Sequence, residues 1–318
     1  MKKNLKEADP MRILFMGTPD FAKVSLEKLC DSGEDVIGAV TQPDSPVGRK
    51  QILTPSAVKV YAQSKNIPVY QPKTLRDEDF MKLLCSLSPE LIVVVAYGKI
   101  LPKTVLDFPK FGCINVHGSL LPEYRGAAPI QRAMLSGDDV TGVTTMYMDE
   151  GCDTGDMILQ RSVCISDGEN LEELYAKLAK VGAELLIDTV EQIKSGTAVR
   201  IKQDGAKATF APKLTREDEH VDFHQSTKKV LRKINCMSPL PGAICNIDGA
   251  DVKIYGARPC DVSKAAPSTV ALVSKKSLCI ATADGSVEIT EIAKIGGKRM
   301  NIAAFLCGCK PAVGAEVL

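Results

Sequence analysis

LIVVVAY, at residues 91–97, is a run of seven consecutive apolar residues. Such a run is typical of a central parallel strand that is covered on both faces, and it falls well short of the ~20 residues that span a membrane. Strand and helix signals alternate on either side of it, with strands at 12–16, 35–40 and 111–116 and helices at 58–64, 77–86, 129–135 and 171–193. This alternation predicts an α/β fold with a doubly wound parallel sheet.

The pattern changes after residue 195. We predict an N-terminal extension at 1–10, a catalytic domain at 11–195, a linker at 196–215 and a C-terminal domain at 216–318. The last of these has a helical signal at 225–234 and then five short strand signals, at 243–247, 252–255, 270–273, 278–282 and 287–292. Five short strands in succession predict a small closed or half-closed β-barrel.

Composition excludes several classes of protein. The chain has 318 residues, of which 45% are hydrophobic and 25% charged, with a net charge of +1, which argues against a disordered chain or a polybasic membrane anchor. Residues 200–318 nevertheless hold 18 Lys and Arg against 12 Asp and Glu, which favours an anionic partner for this part. The 11 cysteines form no C-x-x-C pair, which indicates a reducing cytoplasm rather than a zinc ribbon.

The densest polar cluster beside a strand is CINVHGSLLP, at residues 113–122. Strand alternation places Asn115 and His117 on one face, at the carboxyl end of a parallel strand, where open α/β sheets bind ligands. An amide donor and an imidazole together can stabilise an oxyanion and move a proton. The alternative is a buried, hydrogen-bonded polar pair, against which Gly118, Pro122 and Gly126 indicate a shaped loop.

A second cluster, MDEGCDTGD at 148–156, places Asp153 in a tight turn. A carboxylate near His117 would hold its tautomer and favour its protonated form. The alternative is an ordinary acidic turn, and the sequence does not decide whether Asp153 reaches His117.

Other kinds of site have weaker support. The loop after the first strand has one glycine, so the dinucleotide fingerprint is absent, and no P-loop motif is present. His220 and His224 have no evident third ligand, which favours a solvated surface over a metal site. No nucleophile elbow surrounds Ser119, which argues against a serine hydrolase.

The segment at 41–55 is longer than the usual ~2 to 6 residues of a βα loop. It contains three prolines and the cations Arg49 and Lys50. We therefore weigh a shaped functional loop against a surface insertion without a role.

From about Met11 onward the chain resembles the folate-dependent formyltransferases, and among them the methionyl-tRNA formyltransferases. The motifs that carry the resemblance are GTPDF (17–21), TQPD (41–44), VVAYG (94–98), INVHGSLLP (114–122), RGAAPIQ (125–131), MDEGCDTGDM (148–157) and SPLPGA (238–243). The C-terminal domain looks like that family's OB-like tRNA-binding barrel.

The resemblance implies formyl transfer from 10-formyltetrahydrofolate to the amino group of methionyl initiator tRNA, giving N-formylmethionyl-tRNA without a metal. Carried over, Asn115, His117 and Asp153 match the catalytic trio. The folate-binding stretch matches Ser119, Leu120, Leu121 and Pro122. The tRNA-binding loop matches the segment that holds Arg49. We expect a cytoplasmic monomer that binds initiator methionyl-tRNA and a folate, with no membrane partner.

Two alternatives stay open. A formyltransferase acting on an amino-sugar nucleotide or on glycinamide ribonucleotide would share the catalytic trio, although the latter family lacks a comparable C-terminal barrel. A non-catalytic tRNA-binding protein on an inactive transferase domain is the other reading, and the intact trio argues against it.

Overall fold

The computed structural model describes residues 9–48, 50–262 and 265–318. The chain forms two compact units. The first comprises Met1–Gly126, Gly142–Val163 and Ala176–Phe210, and the second comprises Ala127–Thr141, Cys164–Tyr175 and Ala211–Leu318.

The first unit is built on a seven-stranded sheet in the order β5-β2-β1-β6-β7-β8-β9. Its strands are β1 Arg12–Gly17, β2 Asp35–Val40, β5 Val69–Tyr70, β6 Leu91–Val95, β7 Cys113–His117, β8 Val140–Tyr147 and β9 Met157–Cys164. The first five in this list pair in parallel, with β6 fully buried in the middle, which confirms the predicted parallel sheet.

Strands β5, β8 and β9 are additions to that prediction, and β8 runs antiparallel to β7. Strand β8 shows why such a strand is missed. Six of its eight residues are buried, so neither alternation nor an unbroken apolar run marks it in the sequence. Threonines supply much of its buried surface, and Thr145 Oγ1 hydrogen-bonds to Thr189 Oγ1 at 2.8 Å.

Helices are present at the predicted positions 58–64, 77–86, 129–135 and 171–193, and the short helix Lys103–Leu106 was not predicted. Side-chain caps begin three of them: Ser56 accepts from Lys59 N, Asp77 accepts from Phe80 N, and Asn170 accepts from Glu173 N. The helices up to residue 195 are α1 Asp20–Asp31, α2 Ala57–Ser64, α3 Glu78–Leu87, α4 Lys103–Leu106, α5 Pro129–Ser136 and α6 Leu171–Ser195. In the described ranges, no helix combines the length and apolarity needed to cross a membrane.

The long segment after β2 contains a small antiparallel hairpin, β3 Ser45–Val47 with β4 Ile52–Thr54. Its base is fixed by Lys59, whose Nζ donates to both carboxylate oxygens of Asp44 at 2.9 and 2.7 Å. The predicted tRNA-binding residue Arg49 lies outside the described residues.

The second unit contains helices α7 Thr227–Cys236 and α8 Ile302–Gly308 and an antiparallel sheet in the order β10-β11-β14-β13-β12. Its strands are β10 Ala243–Ile247, β11 Ala250–Cys260, β12 Val270–Val273, β13 Leu278–Ala281, β14 Ser286–Lys294 and the short β15 Met300–Asn301, which pairs with β14.

The last residues of the chain close this sheet into a barrel. On one side Asn246, in β10, exchanges two backbone hydrogen bonds with Leu318. On the other side Val270, in β12, donates to Ala315, and Val317 donates to Ser268. The small antiparallel barrel that the sequence predicted is therefore present, and a segment with no strand signal completes it.

Candidate active site

Strand β7 carries Asn115 and His117 to the carboxyl edge of the sheet. Its pairing with β6 sets Asn115 beside Val94, and its pairing with β8 sets His117 beside Thr144. Because the two residues are two positions apart on a strand, they share one face. His117 is 6% exposed, and Asn115 is half-buried. In the described ranges the Asn115 amide makes no hydrogen bond to the protein, so its donors remain available to a ligand.

Both ring nitrogens of His117 face oxygen atoms. Nε2 lies 3.0 Å from the backbone oxygen of Tyr124, and Nδ1 lies 3.7 Å from Oδ2 of Asp153. A carbonyl oxygen only accepts hydrogen bonds, so Nε2 carries the proton in the neutral ring. Nδ1 therefore carries the lone pair of that neutral ring. Its distance from Asp153 is too long for a direct hydrogen bond and leaves room for a shared partner.

Asp153 is held in an unusual backbone conformation. Its φ is +54°, in the left-handed region, and its Oδ2 accepts from Gly126 N at 2.8 Å. The turn around it is fixed by Asp149, whose Oδ1 accepts from Gly151 N and from Thr154 Oγ1. Asp153 and His117 are thus brought together, as the sequence-based hypothesis required.

Cys152 is next to Asp153 in the sequence, and we considered it as a possible nucleophile. Burial and then the neighbouring Asp153 carboxylate raise the pKa of its thiol. Because the thiolate is the reactive form of cysteine, the surroundings of Cys152 disfavour a nucleophilic role.

Two residues that the sequence did not predict as site residues, Gln203 and Arg125, link the segments around His117. Gln203 donates from Nε2 to the backbone oxygens of Asp153 and Gly155, and its Oε1 accepts from the side chain of Arg125. Gln203 falls in the segment whose composition suggested a linker, so no local signal marked it. Arg125, which is 9% exposed, is adjacent to both Tyr124 and Gly126.

The predicted folate-binding stretch forms a tightly bonded loop. Ser119 is fully buried, and its hydroxyl donates to the backbone oxygen of Glu123 at 2.6 Å. Thr144 Oγ1 donates to Ser119 O at 2.7 Å and accepts from Leu121 N at 3.1 Å. Leu121 is 3% exposed, whereas Leu120 and Pro122 are half-buried. The surface that this loop offers is therefore that of Leu120 and Pro122.

The remaining polar features lie away from these residues. His224 Nδ1 lies 3.2 Å from Asp222 Oδ1, and the described part of the chain contains no cluster of three or more residues suited to a metal. A cleft of about 830 Å³ opens at the amino end of β7, where Cys113, Tyr147 and Arg200 contribute to its lining. Asn115, His117 and Asp153 do not line it.

Known proteins match both parts of the chain. A family model described as formyl transferase matches residues 11–190, and one described as formyl transferase, C-terminal domain, matches residues 213–310. The chain is similar to a methionyl-tRNA formyltransferase of Geotalea uraniireducens, with 46% identity over 96% of this chain and 97% of the relative. A methionyl-tRNA formyltransferase of Desulfotalea psychrophila is 44% identical over 98% of this chain and 96% of its own length.

A solved structure agrees at the level of the fold. It is an N-formyltransferase from Helicobacter canadensis in complex with folinic acid and dTDP-3-aminofucose, with a TM-score of 0.67, 18% identity, and coverage of 91% of this chain and 100% of its own. At this identity the likeness concerns the fold alone. The sequence relatives, at more than twice that identity and almost full length, are more specific. The chain belongs to the formyltransferase family, in the group of the methionyl-tRNA formyltransferases.

Proposed function

We propose that this chain transfers the formyl group of 10-formyltetrahydrofolate to the amino group of methionyl initiator tRNA, giving N-formylmethionyl-tRNA for translation initiation. The observation that carries the proposal is the arrangement of His117, with Nε2 on the Tyr124 carbonyl and Nδ1 facing Asp153. Beside it, the Asn115 amide makes no hydrogen bond to any residue that the structure describes. Family membership supplies the choice of substrates.

In this mechanism the neutral amine of methionyl-tRNA attacks the formyl carbon. As the new C–N bond forms, the formyl oxygen gains negative charge, and the Asn115 amide donates to it. One such preorganised donor is typically worth about 3 kcal/mol of transition-state stabilisation.

Proton transfer is assigned to Nδ1 of His117. The amine must lose a proton, and the folate nitrogen must gain one as its bond to the formyl carbon breaks. Tyr124 holds Nε2 throughout, so Nδ1 accepts and returns the proton while Asp153 stabilises the charged ring. The protons balance, and no metal enters these steps.

We assign the folate to the loop at 119–122. Ser119 and Leu121 support the shape of this loop, because their side chains are buried and Thr144 hydrogen-bonds to the backbone of both. Leu120 and Pro122 present the apolar surface that a pterin or benzoyl ring would contact.

Catalysis is assigned to residues 11–195 and tRNA binding to 216–318, in a monomeric cytoplasmic enzyme.

Binding of tRNA is assigned to the basic C-terminal part and to Arg49. Each phosphate contact steepens the dependence of log affinity on log salt by roughly 0.7 to 0.9. We expect Arg49→Ala to raise KM for tRNA and flatten its salt dependence, with KM for the folate unchanged. Lys65→Ala, an exposed cation on α2's C-terminal side, is the matched control. Unchanged kinetics of Arg49→Ala at low tRNA concentration would contradict the assignment.

A formylation assay tests the whole proposal. Purified protein receives 10-formyltetrahydrofolate with initiator or elongator methionyl-tRNA, and acid gels separate the formylated product. Product on the initiator tRNA alone would support both the reaction and the partner. Transfer to an amino-sugar nucleotide instead would keep the chemistry at His117 and reject the tRNA assignment, and no transfer to any acceptor would reject formyl transfer.

A further inference from the structure

Gln203 uses its whole amide group to join two segments. Nε2 donates to Asp153 O at 2.9 Å and to Gly155 O at 2.8 Å, while Oε1 accepts from Arg125 Nε at 2.9 Å and Nη2 at 2.7 Å. The orientation of the amide is fixed by chemistry, because a guanidinium only donates and a backbone carbonyl only accepts.

The two segments that Gln203 joins both face the ring of His117. One runs from Tyr124 to Gly126: its first residue accepts from Nε2, and its last donates to the Asp153 carboxylate. The other is the turn of Asp153 itself, whose carboxylate faces Nδ1. Arg125 lies at the centre of the first segment, and Asp153 and Gly155 belong to the second. A single side chain therefore links the partners of both ring nitrogens.

The backbone conformation of Asp153 depends on this link. A non-glycine residue in the left-handed region persists when its surroundings over-determine it, and Asp153 has φ +54°. The bonds from Gln203 to Asp153 O and Gly155 O act on that backbone from one side, and Gly126 N fixes the carboxylate from the other.

We infer that Gln203 is a positioning residue for the proposed reaction, which sets the placement of Asp153 against Nδ1 of His117. The inference rests on the proposed function. The hydrogen bonds of Gln203 go to Arg125, Asp153 and Gly155 rather than to the ring of His117, so it acts through the two segments. Since a displacement of about 1 Å in a catalytic group costs about 100-fold in rate, loss of the link lowers turnover.

Gln203→Leu removes all four hydrogen bonds at nearly constant volume. We expect kcat to fall about 10- to 100-fold while KM for each substrate stays within about threefold, because binding surfaces are left in place. Asp204→Ala is the matched control: it removes the cap of the adjacent short 3-10 turn, in which Asp204 accepts from Ala206 N, and leaves the Gln203 bonds untouched. A kcat of Gln203→Leu within twofold of the parent, or a loss confined to KM, overturns the inference.

Gln203→Glu is the second variant. It keeps an acceptor for Arg125 and replaces the two N–H donors by an oxygen that faces two carbonyls. It should fold and show the same loss of kcat. If neither variant folds, Gln203 is a structural residue and the positioning role is rejected.

A double-mutant cycle tests the route of the effect. In an Asp153→Ala background, Gln203→Leu should cost less turnover than in the parent, because the carboxylate that it places is already gone. A loss that multiplies with that of Asp153→Ala would overturn the inference.

A spectroscopic readout separates this inference from the proposed function. The chain has three histidines, so the nitrogen NMR signals of His117 can be assigned by replacing each in turn. Nδ1 of His117 should shift in Gln203→Leu and remain in place in Asp204→Ala. An inactive parent protein would reject the proposed function, whereas an unmoved Nδ1 signal would reject the role of Gln203.

Discussion

At the scale of single residues, the candidate site depends on which atoms of His117 are already bonded. The Tyr124 carbonyl occupies Nε2, so in the proposed reaction Nδ1 is the nitrogen left to exchange a proton. Asn115 stands in contrast, because its amide has no partner in the described part of the chain. One polar residue of the strand is thus fixed by the protein, and the other is available to a substrate.

Replacement of Asn115 tests the oxyanion role. Asn115→Ala should lower kcat by about 10²- to 10³-fold, since loss of one oxyanion donor has that cost, with KM for tRNA within about threefold. Steady-state formylation kinetics measure both. Gln63→Ala, on the exposed side of α2, is the surface control. Turnover of Asn115→Ala near the parent value would remove Asn115 from the catalytic set.

Gly155 tests how closely the Asp153 turn fits against β8. A Cβ on Gly155 would lie 1.9 Å from the backbone oxygen of Tyr147, which cannot yield without moving the turn. Gly155→Ala should therefore reduce kcat by about 100-fold. Gly205→Ala, at a glycine with no atom within 4 Å of the added Cβ, should be close to neutral. Equal activity of the two variants would show that the turn tolerates displacement.

At the scale of elements, strands were predictable where burial was uniform. β6 is apolar throughout, and the apolar run at 91–97 located its start and placed its end within two residues. β8 combines Thr, Gly and Val on two buried faces and gives no period of two. The segment that closes the barrel was also missed. Its residues hydrogen-bond to strands that are far away in the sequence, and no local pattern of residue types marks it as a strand.

Val317 tests the closure of the barrel. It is 1% exposed and lies between β10 and β12, whereas Val313, four residues earlier, is 67% exposed. Val317→Ala should cost about 2 kcal/mol of unfolding free energy through lost burial and a residual cavity. Val313→Ala should change it by less than about 0.5 kcal/mol. Urea unfolding followed by circular dichroism compares the two, and equal midpoints would contradict a closing role for Val317.

At the scale of the whole molecule, the two units differ in their paired carboxylates. Hydrogen bonds from Arg132 lower the pKa of Asp218, and hydrogen bonds from Lys228 lower that of Asp139. Bonds from Gln225, Thr227 and Ser277, each the largest cause at its site, lower the pKa values of Asp222, Asp284 and Glu288. All five belong to the second unit. In the first unit, Lys59 lowers the pKa of Asp44.

Acid should therefore destabilise the second unit first. A carboxyl with a lowered folded pKa contributes stability above its unfolded pKa, about 4, and loses it as the pH falls through the lower folded value. We expect methyl NMR signals of the barrel to disappear at lower urea on going from about pH 7 to pH 3, with a smaller change for the first unit. Asp218→Asn should reduce that pH dependence. Equal acid sensitivity of both units would contradict the prediction.

The sequence by itself determined the parallel sheet, the small barrel, and the strand that carries Asn115 and His117, because burial period and turn residues are local properties of the chain. Only the tertiary structure decided that Asp153 faces Nδ1, that the Tyr124 carbonyl takes Nε2, and that Gln203 joins their segments. Gln203 is 50 residues from Asp153 and 78 from Arg125 along the chain. Hydrogen bonds over such separations follow from how the backbone folds back on itself, and no short-range pattern of residue types encodes them.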